Sequence, residues 1–404
     1  MKILLGISGS ISAYKSIDLA RTLVNQGHEV KIILTNGALK FVVPEVFLYL
    51  GVKEVYKSDD DFKHAGVLHV ELGRWSDILV IAPLSANTLK RLSTGEAHDL
   101  LTSVFLAYEK NKNILVFPAM NAEMLSHPFV ENNFEELKKL KSLQNLFISS
   151  TNSGILACND IGSGKLPDIL EIIELIETYP LQLKNQKVVI TTGATISALD
   201  PVRYLTNSSS GITGFFIAKN FLKAGFEVVV IAGRDSSKRL DLLIKHPNFK
   251  LLRTTTVDDM YEAVHKEIEN SKIFISSAAV SDIEFNYTDG KVKKESLTDS
   301  LKIKSAKDIL KSVIDKKWPH LFIVGFAAET DLSDTVLSKK LEKKPVDLLI
   351  GTKVHNGSHG NQVEGFNVDK AFYKIIKEHK TIFEGALEKQ NLGEFILKNC
   401  EKHD

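Results

Sequence analysis

The 404-residue sequence has only two cysteines, Cys158 and Cys400, which excludes a scaffold held by disulfides. It has no run of the roughly 18 or more apolar residues needed to cross a bilayer, and its start, MKILLGISGS, lacks the long apolar stretch of a signal peptide. A cytoplasmic protein without a membrane partner is expected. An excess of one charge is also missing, because 51 Lys and Arg face 50 Asp and Glu. No broad field exists to attract nucleic acid, so anionic ligands must be caught locally. What is present is 44% hydrophobic and 25% charged residues, the composition of packed globular domains. The length suits two of them.

Short apolar, β-branched runs alternate with segments of helical period, which predicts an α/β protein with two doubly wound, mostly parallel sheets. The predicted strands of the first half are Lys2–Ile7, Glu29–Leu34, Ile78–Ala82, Ile114–Pro118 and Leu146–Ser149. A second series follows at Lys187–Thr192, Glu227–Ala232, Phe249–Arg253, Ile273–Ser276, Leu321–Gly325 and Asp347–Ile350. Between them, Glu177–Gln186 carries Pro180, which stops a helix. The expected division is a first domain at 1–178, a linker at 179–186 and a second domain at 187–404.

In such sheets ligands sit beyond the carboxyl ends of the strands, where helix N-termini favour phosphate. The loop Gly6–Ala13 does not fit G-x-G-x-x-G, and the second strand ends in Thr35-Asn36 with no acidic residue for an adenosine ribose. A dinucleotide is not expected there. A flavin mononucleotide held through hydroxyls and backbone amides fits better, although a tight strand-to-helix turn uses the same small residues. The Gly162-Ser-Gly-Lys165 fragment is no P-loop, since Asn159 and Leu166 stand where Gly and Ser or Thr are required.

Further blocks fall on the strand ends: His69-Val-Glu-Leu-Gly-Arg-Trp75, Ala82-Pro-Leu-Ser-Ala-Asn-Thr88, Pro118-Ala-Met-Asn121 and Ser153-Gly-Ile-Leu-Ala-Cys158. With Gly6–Lys15, they make residues 1–178 resemble the flavin-dependent cysteine decarboxylases, especially phosphopantothenoylcysteine decarboxylase. The resemblance implies a flavodoxin-like domain with FMN against Gly9, Ser10, Thr35, Ser85, Asn87 and Thr88. It makes His69 the essential histidine, gives Asn121 and Met124 contacts to substrate, pairs Arg74 with the substrate carboxylate, and makes Cys158 a proton donor on a mobile flap. The family usually has Gly and Arg where this chain has Asn159 and Lys165.

The second half opens with Thr191-Thr-Gly-Ala-Thr195 and Asp200-Pro-Val-Arg-Tyr-Leu-Thr-Asn207-Ser-Ser-Ser-Gly211, a loop rich in donors. With Ser276–Asp282, Lys291-Val-Lys-Lys294 and Gly325–Thr330, it resembles phosphopantothenate-cysteine ligase over residues 186–400. The two halves in this order resemble the bacterial bifunctional enzyme of coenzyme A biosynthesis. The resemblance implies a Rossmann-like ligase domain acting on 4'-phosphopantothenate, L-cysteine and CTP with Mg²⁺. Asn207 would stabilise an acyl-cytidylate and Lys291 would contact the reacting phosphate. Arg203 would serve the phosphate-bearing substrate, and Asp282, Phe326, Lys340 and Lys344 would hold the nucleotide. Ser276, Ser277 and Ala278 would frame it together with Lys307, Asp308, Ile309 and Leu310. The family usually carries Arg-Glu at Ile196-Ser197 and Pro at Lys307. Its members assemble as trimers through the flavin side and dimers through the ligase side, so a homo-oligomer is expected.

Each residue also has an ordinary reading: Asn121 as a helix cap, Cys158 as an inert buried thiol, the lysines as solvated charges, and Asp282 as a turn residue. Cys400 is incidental. Two competing functions are a flavin-binding regulatory subunit without catalysis and, for the second half, an NADP-dependent oxidoreductase using Arg234. The intact Cys158 segment opposes the first, and the missing G-x-G-x-x-G opposes the second.

Overall fold

The computed structural model describes residues 1–140, 145–155, 161–293, 301–318, 320–356, 363–364 and 368–401. Cys158 and Asn159 lie outside them, as does Lys294. The chain forms two compact units, Met1–Leu181 and Gln182–Asp404. No described helix is long and apolar enough to cross a membrane.

The first unit is built on β1 (Lys2–Ile7), β2 (Glu29–Leu34), β3 (Glu54–Lys57), β4 (Ile78–Leu84), β5 (Asn113–Pro118) and β6 (Asn145–Ile148). They form one parallel sheet in the order β3-β2-β1-β4-β5-β6. Side chains on a strand alternate between faces, so Ile3, Leu5 and Ile7 enter one core while Leu4 enters the other. Helices cover both faces, which is why the strands read as unbroken apolar runs. Strand β3 was not predicted; it is a four-residue edge strand, Glu-Val-Tyr-Lys, with no buried residue to mark it. A hairpin of β7 (Asn152–Ile155) and β8 (Ile161–Lys165) follows β6.

The second unit repeats the plan with β9 (Lys187–Thr192), β12 (Glu227–Gly233), β13 (Phe249–Thr254), β14 (Ile273–Ser276), β17 (Phe322–Glu329) and β18 (Leu348–Lys353), all parallel. Small antiparallel pairs β10 (Ile196–Ala198) with β11 (Tyr204–Thr206), β15 (Ile283–Phe285) with β16 (Ile303–Ser305), and β19 (His355–Asn356) with β20 (Val363–Glu364) lie outside the main sheet. The main sheet is extended by antiparallel β21 (Lys370–Lys377) and β22 (Lys380–Glu388), giving the order β13-β12-β9-β14-β17-β18-β21-β22. This pair went unpredicted because its turn, Glu378-His379, adopts left-handed backbone at both positions without glycine. Both sheets are doubly wound and mostly parallel, as expected.

Candidate active sites

In the first sheet the strand order reverses between β1 and β4, and a crevice opens at that point. Two serines tie its walls together. Ser8 Oγ donates to the Pro83 carbonyl at 2.7 Å and accepts from the Ser85 amide at 2.7 Å, while Ser16 Oγ donates to the Ala82 carbonyl at 2.8 Å. Both serines are fully buried. Ser85 then caps the helix Ala86–Thr94 by accepting from the Thr88 amide. The other wall comes from Pro118-Ala-Met-Asn121 and β8, where the Met120 amide donates to the Gly164 carbonyl at 3.0 Å. Gly164 has φ +115, and a Cβ there would strike the Met120 carbonyl, so only glycine lets β8 approach so closely.

These walls enclose a cavity of about 670 Å³ that gathers Gly9, Ser10, Ser85, Asn87, Asn121 and Met124. Ile11, Tyr14, Lys15 and Lys165 line it as well; the sequence reading had not assigned the first three to the site. Thr35 and Thr88 are buried and do not line it. The Thr35 hydroxyl donates to the Ile7 carbonyl and accepts from the Ala38 amide, and the Thr88 hydroxyl accepts from Ser85. Asn121 accepts from the Glu123 amide at 2.9 Å as cap of Ala122–Leu125.

His69 and Arg74 do not line this cavity within the chain. His69 is the second residue of the helix Leu68–Trp75, and its Nδ1 lies 2.7 Å from Asp61 Oδ2, while its amide donates to Asp61 Oδ1 at 3.2 Å. A carboxylate only accepts, so Asp61 fixes the ring proton on Nδ1 and leaves Nε2 for other work. Asp61 was missed because it stands in the polar run Asp59-Asp-Asp61, which reads as a solvated loop. Arg74 is exposed.

In the second unit the carboxyl ends of β9, β14, β17 and β18 surround a cavity of about 620 Å³. It brings together Asn207, Ser276, Ser277, Ala278, Asp282 and Phe326, with the segment Lys307, Asp308, Ile309 and Leu310 and the two lysines Lys340 and Lys344. Gly211, with φ +74, turns the chain into the helix Ile212–Lys223 at its rim. Asn207 Nδ2 donates to the Ala279 carbonyl at 3.1 Å, joining the two donor loops, and Ser277 Oγ donates to the Thr191 carbonyl at 2.7 Å. Lys307 pairs with Asp258 at 2.8 Å, Lys344 with Asp308 at 2.7 Å, and Lys340 with Glu329. Partly exposed pairs of this kind contribute about 0–1 kcal/mol, so exchanging a carboxylate for a ligand phosphate costs little. Thr352, Tyr373 and Lys389 also line the cavity and were not anticipated.

Arg203 and Lys291 do not line it. The Arg203 guanidinium grips Asp200 through Nε at 3.0 Å and Nη2 at 2.5 Å, and Nη2 also reaches the Val292 carbonyl at 2.7 Å. Asp200 accepts in addition from the amides of Val202, Arg203 and Val292. The cluster pins residues 291–293 beside the first loop. At Ile196-Ser197 the chain forms β10 with Ile196 buried, and Ser197 Oγ accepts from the Phe285 amide at 2.9 Å.

Arg203, followed by the backbone donors, holds the Asp200 carboxyl well below the usual carboxylate range. A carboxylate whose pKa is depressed by folding contributes stability that is complete above its unfolded value of about 3.9 and is lost as pH falls further. The urea midpoint of wild type should therefore exceed that of Asp200→Asn at neutral pH, with the gap closing below about pH 4. A gap independent of pH would show that the charge is not what matters.

Residues 1–179 match the family described as Flavoprotein, and residues 183–403 match the DNA/pantothenate metabolism flavoprotein C-terminal domain. The coenzyme A biosynthesis bifunctional protein CoaBC of Escherichia coli is 34% identical over 407 residues, covering 98% of this chain and 95% of that protein. The chain belongs to the CoaBC family. CoaBC of Vibrio vulnificus is likewise 34% identical, over 359 residues, covering 87% of this chain and 86% of that protein. Among solved structures, a PPC decarboxylase mutant complexed with pantothenoylaminoethenethiol is 32% identical with a TM-score of 0.39, covering 43% of this chain and 95% of that one. The two units thus divide as the two CoaBC family matches do, near residue 181.

Proposed function

We propose that the chain catalyses two consecutive steps of coenzyme A biosynthesis: CTP-dependent ligation of L-cysteine to 4'-phosphopantothenate in the second unit, then decarboxylation of 4'-phosphopantothenoylcysteine to 4'-phosphopantetheine in the first. The observation that carries this reading is that each unit gathers its own donor-rich loops around one cavity at the carboxyl end of its sheet.

FMN fits the first cavity. Its volume lies in the range of cofactor sites, and Ser10, Ser85 and the start of helix Ala86–Thr94 supply donors for a single phosphate. Ile11, Tyr14 and Met124 are 52%, 55% and 47% exposed along its wall, an apolar shelf suited to a flat ring. When bound, FMN supplies reversible oxidation of the cysteine-derived carbons, which lets carbon dioxide leave. The chain's share is position and proton transfer. Asn121 and Met124 would hold the substrate and Cys158 would return a proton. His69, kept in one tautomer by Asp61, and Arg74 would act from a neighbouring subunit of a homo-oligomer.

In the ligase unit the 4'-phosphopantothenate carboxylate attacks the α-phosphate of CTP and releases pyrophosphate. The cysteine amine then displaces CMP from the acyl carbon. Lys340, Lys344 and Lys307 would exchange their carboxylate partners for phosphate oxygens, and Asn207 would face the acyl group. Mg²⁺ would enter on the triphosphate, with Asp282 nearby. Such an ion is held largely by waters and substrate phosphates.

The full-length protein should purify yellow, with the visible absorbance of oxidised flavin. Given 4'-phosphopantothenate, L-cysteine, Mg²⁺ and CTP, it should form 4'-phosphopantetheine, carbon dioxide, CMP and pyrophosphate. Colourless protein, or CMP release without dependence on cysteine, would overturn the assignment for the corresponding unit.

A further inference from the structure

Three of the cavity lysines in the ligase unit pair with carboxylates, whereas Lys389 forms no such pair among the described residues. It lines the same cavity beside Tyr373 and Thr352 and is 2% exposed. Its ammonium has no hydrogen-bond or ion-pair partner among the described residues, and only the charge of the exposed Asp369 acts in its favour. It is not one of the fully enclosed unpartnered polar atoms, and the residue is part of the cavity lining. Lys389 also opens the helix Lys389–Glu401, where free N–H groups already make the surroundings positive. Burial and the helix end both oppose a bare cation here, and burial pulls its pKa down.

Packing keeps the lysine in place. Leu392 and Ile396 of its helix are fully buried, and Asn220 donates to the Gln390 carbonyl at 3.3 Å. Gly393 lies so close to Phe216 that a Cβ would press on the Phe216 carbonyl. Phe216 and Asn220 belong to the helix Ile212–Lys223, whose N-terminus has no side-chain cap and sits on the same cavity wall. A buried cation with no ion-pair partner among the described residues and the uncapped end of a twelve-residue helix therefore meet at one cavity.

We propose that Lys389 is a phosphate-binding residue of the ligase unit, its ammonium pairing with a phosphate group that the N-terminus of helix Ile212–Lys223 also receives. The proposal rests on the ligase reading above. Two ligands carry such a group, the nucleotide triphosphate and the 4'-phosphate of the acid substrate, and both offer the same chemistry to a lysine and backbone N–H groups.

The test uses full-length Lys389→Met and Lys389→Gln, with calorimetric titration of Mg²⁺-CTP alone and of 4'-phosphopantothenate alone. Both variants should melt at or above the wild-type temperature without ligand, because an unpaired buried charge has been removed. Affinity for one of the two ligands should fall roughly 10- to 100-fold, and the ligand affected identifies the source of the phosphate. The KM for that ligand should rise, while decarboxylation of supplied 4'-phosphopantothenoylcysteine stays at the wild-type rate. Unchanged affinity for both ligands would overturn the proposal, and so would variants that melt well below wild type or fail to fold, since the lysine would then be structural. Wild type that binds neither ligand would defeat the ligase reading itself, whereas wild type and variants that bind equally well would defeat only the role of Lys389.

Discussion

Full-length His69→Asn should release carbon dioxide from 4'-phosphopantothenoylcysteine about 10²- to 10⁴-fold more slowly than wild type, the loss typical of a missing proton-transfer group. Asparagine preserves much of the shape and one donor but has no second nitrogen that alternates between acid and base. The Asp61 contact at 2.7 Å makes the expectation more specific. If Asp61 sets the tautomer, Asp61→Asn should lower the rate less than His69→Asn does and displace its pH profile, because an amide can donate to Nδ1 and favour the other tautomer. Flavin absorbance of each variant reports whether the first unit is intact. CMP release by the second unit should remain at the wild-type rate in both, since His69 and the ligase cavity belong to separate compact units. Equal loss of both activities, or an unchanged decarboxylation rate, would remove His69 from the chemistry.

The second large effect is expected at Asn207. Its amide donates to the Ala279 carbonyl and stands where the loop Asn207–Gly211 meets the loop Ser276–Asp282. Asn207→Asp removes the donor and sets a carboxylate against a carbonyl oxygen. Loss of one well-placed donor to a developing charge slows turnover about 10²- to 10³-fold, so ligation should fall by that amount and acyl-cytidylate should accumulate when CTP and 4'-phosphopantothenate are supplied. Rapid-quench separation of the nucleotide products measures both quantities. Ordinary turnover with no intermediate would exclude Asn207 from the acyl-transfer step. Decarboxylation of supplied 4'-phosphopantothenoylcysteine should not change.

The parallel strands were readable in advance because a strand buried on both faces must be apolar at every position, as Lys2–Ile7 and Lys187–Thr192 nearly are. The antiparallel pair β21 and β22 was not. Its outer strand alternates exposed and half-buried residues, and its turn carries none of the usual glycine or asparagine. Within the sites, loops that follow such strands announce themselves through small and hydroxyl residues, and Gly9, Ser85, Asn207 and Ser276 lie on cavity walls for that reason. Residues whose setting is made by tertiary contacts give no local sign. Asp61 reads as one acid in a solvated run, and Lys389 as one charge in Leu-Glu-Lys-Gln-Asn.

Taken alone, the order of residues determined that this protein is two α/β units and which loops line their cavities, because hydrophobic period and backbone conformation are local properties of a few neighbouring side chains. Tertiary structure decided which charges are neutralised and which are left bare. Lys307, Lys340 and Lys344 face acids, Arg203 is taken up by Asp200, and Lys389 is buried with no ion-pair partner among the described residues. Those outcomes depend on partners brought together by folding and on the loss of water around them, and neither is a property of any short stretch of chain.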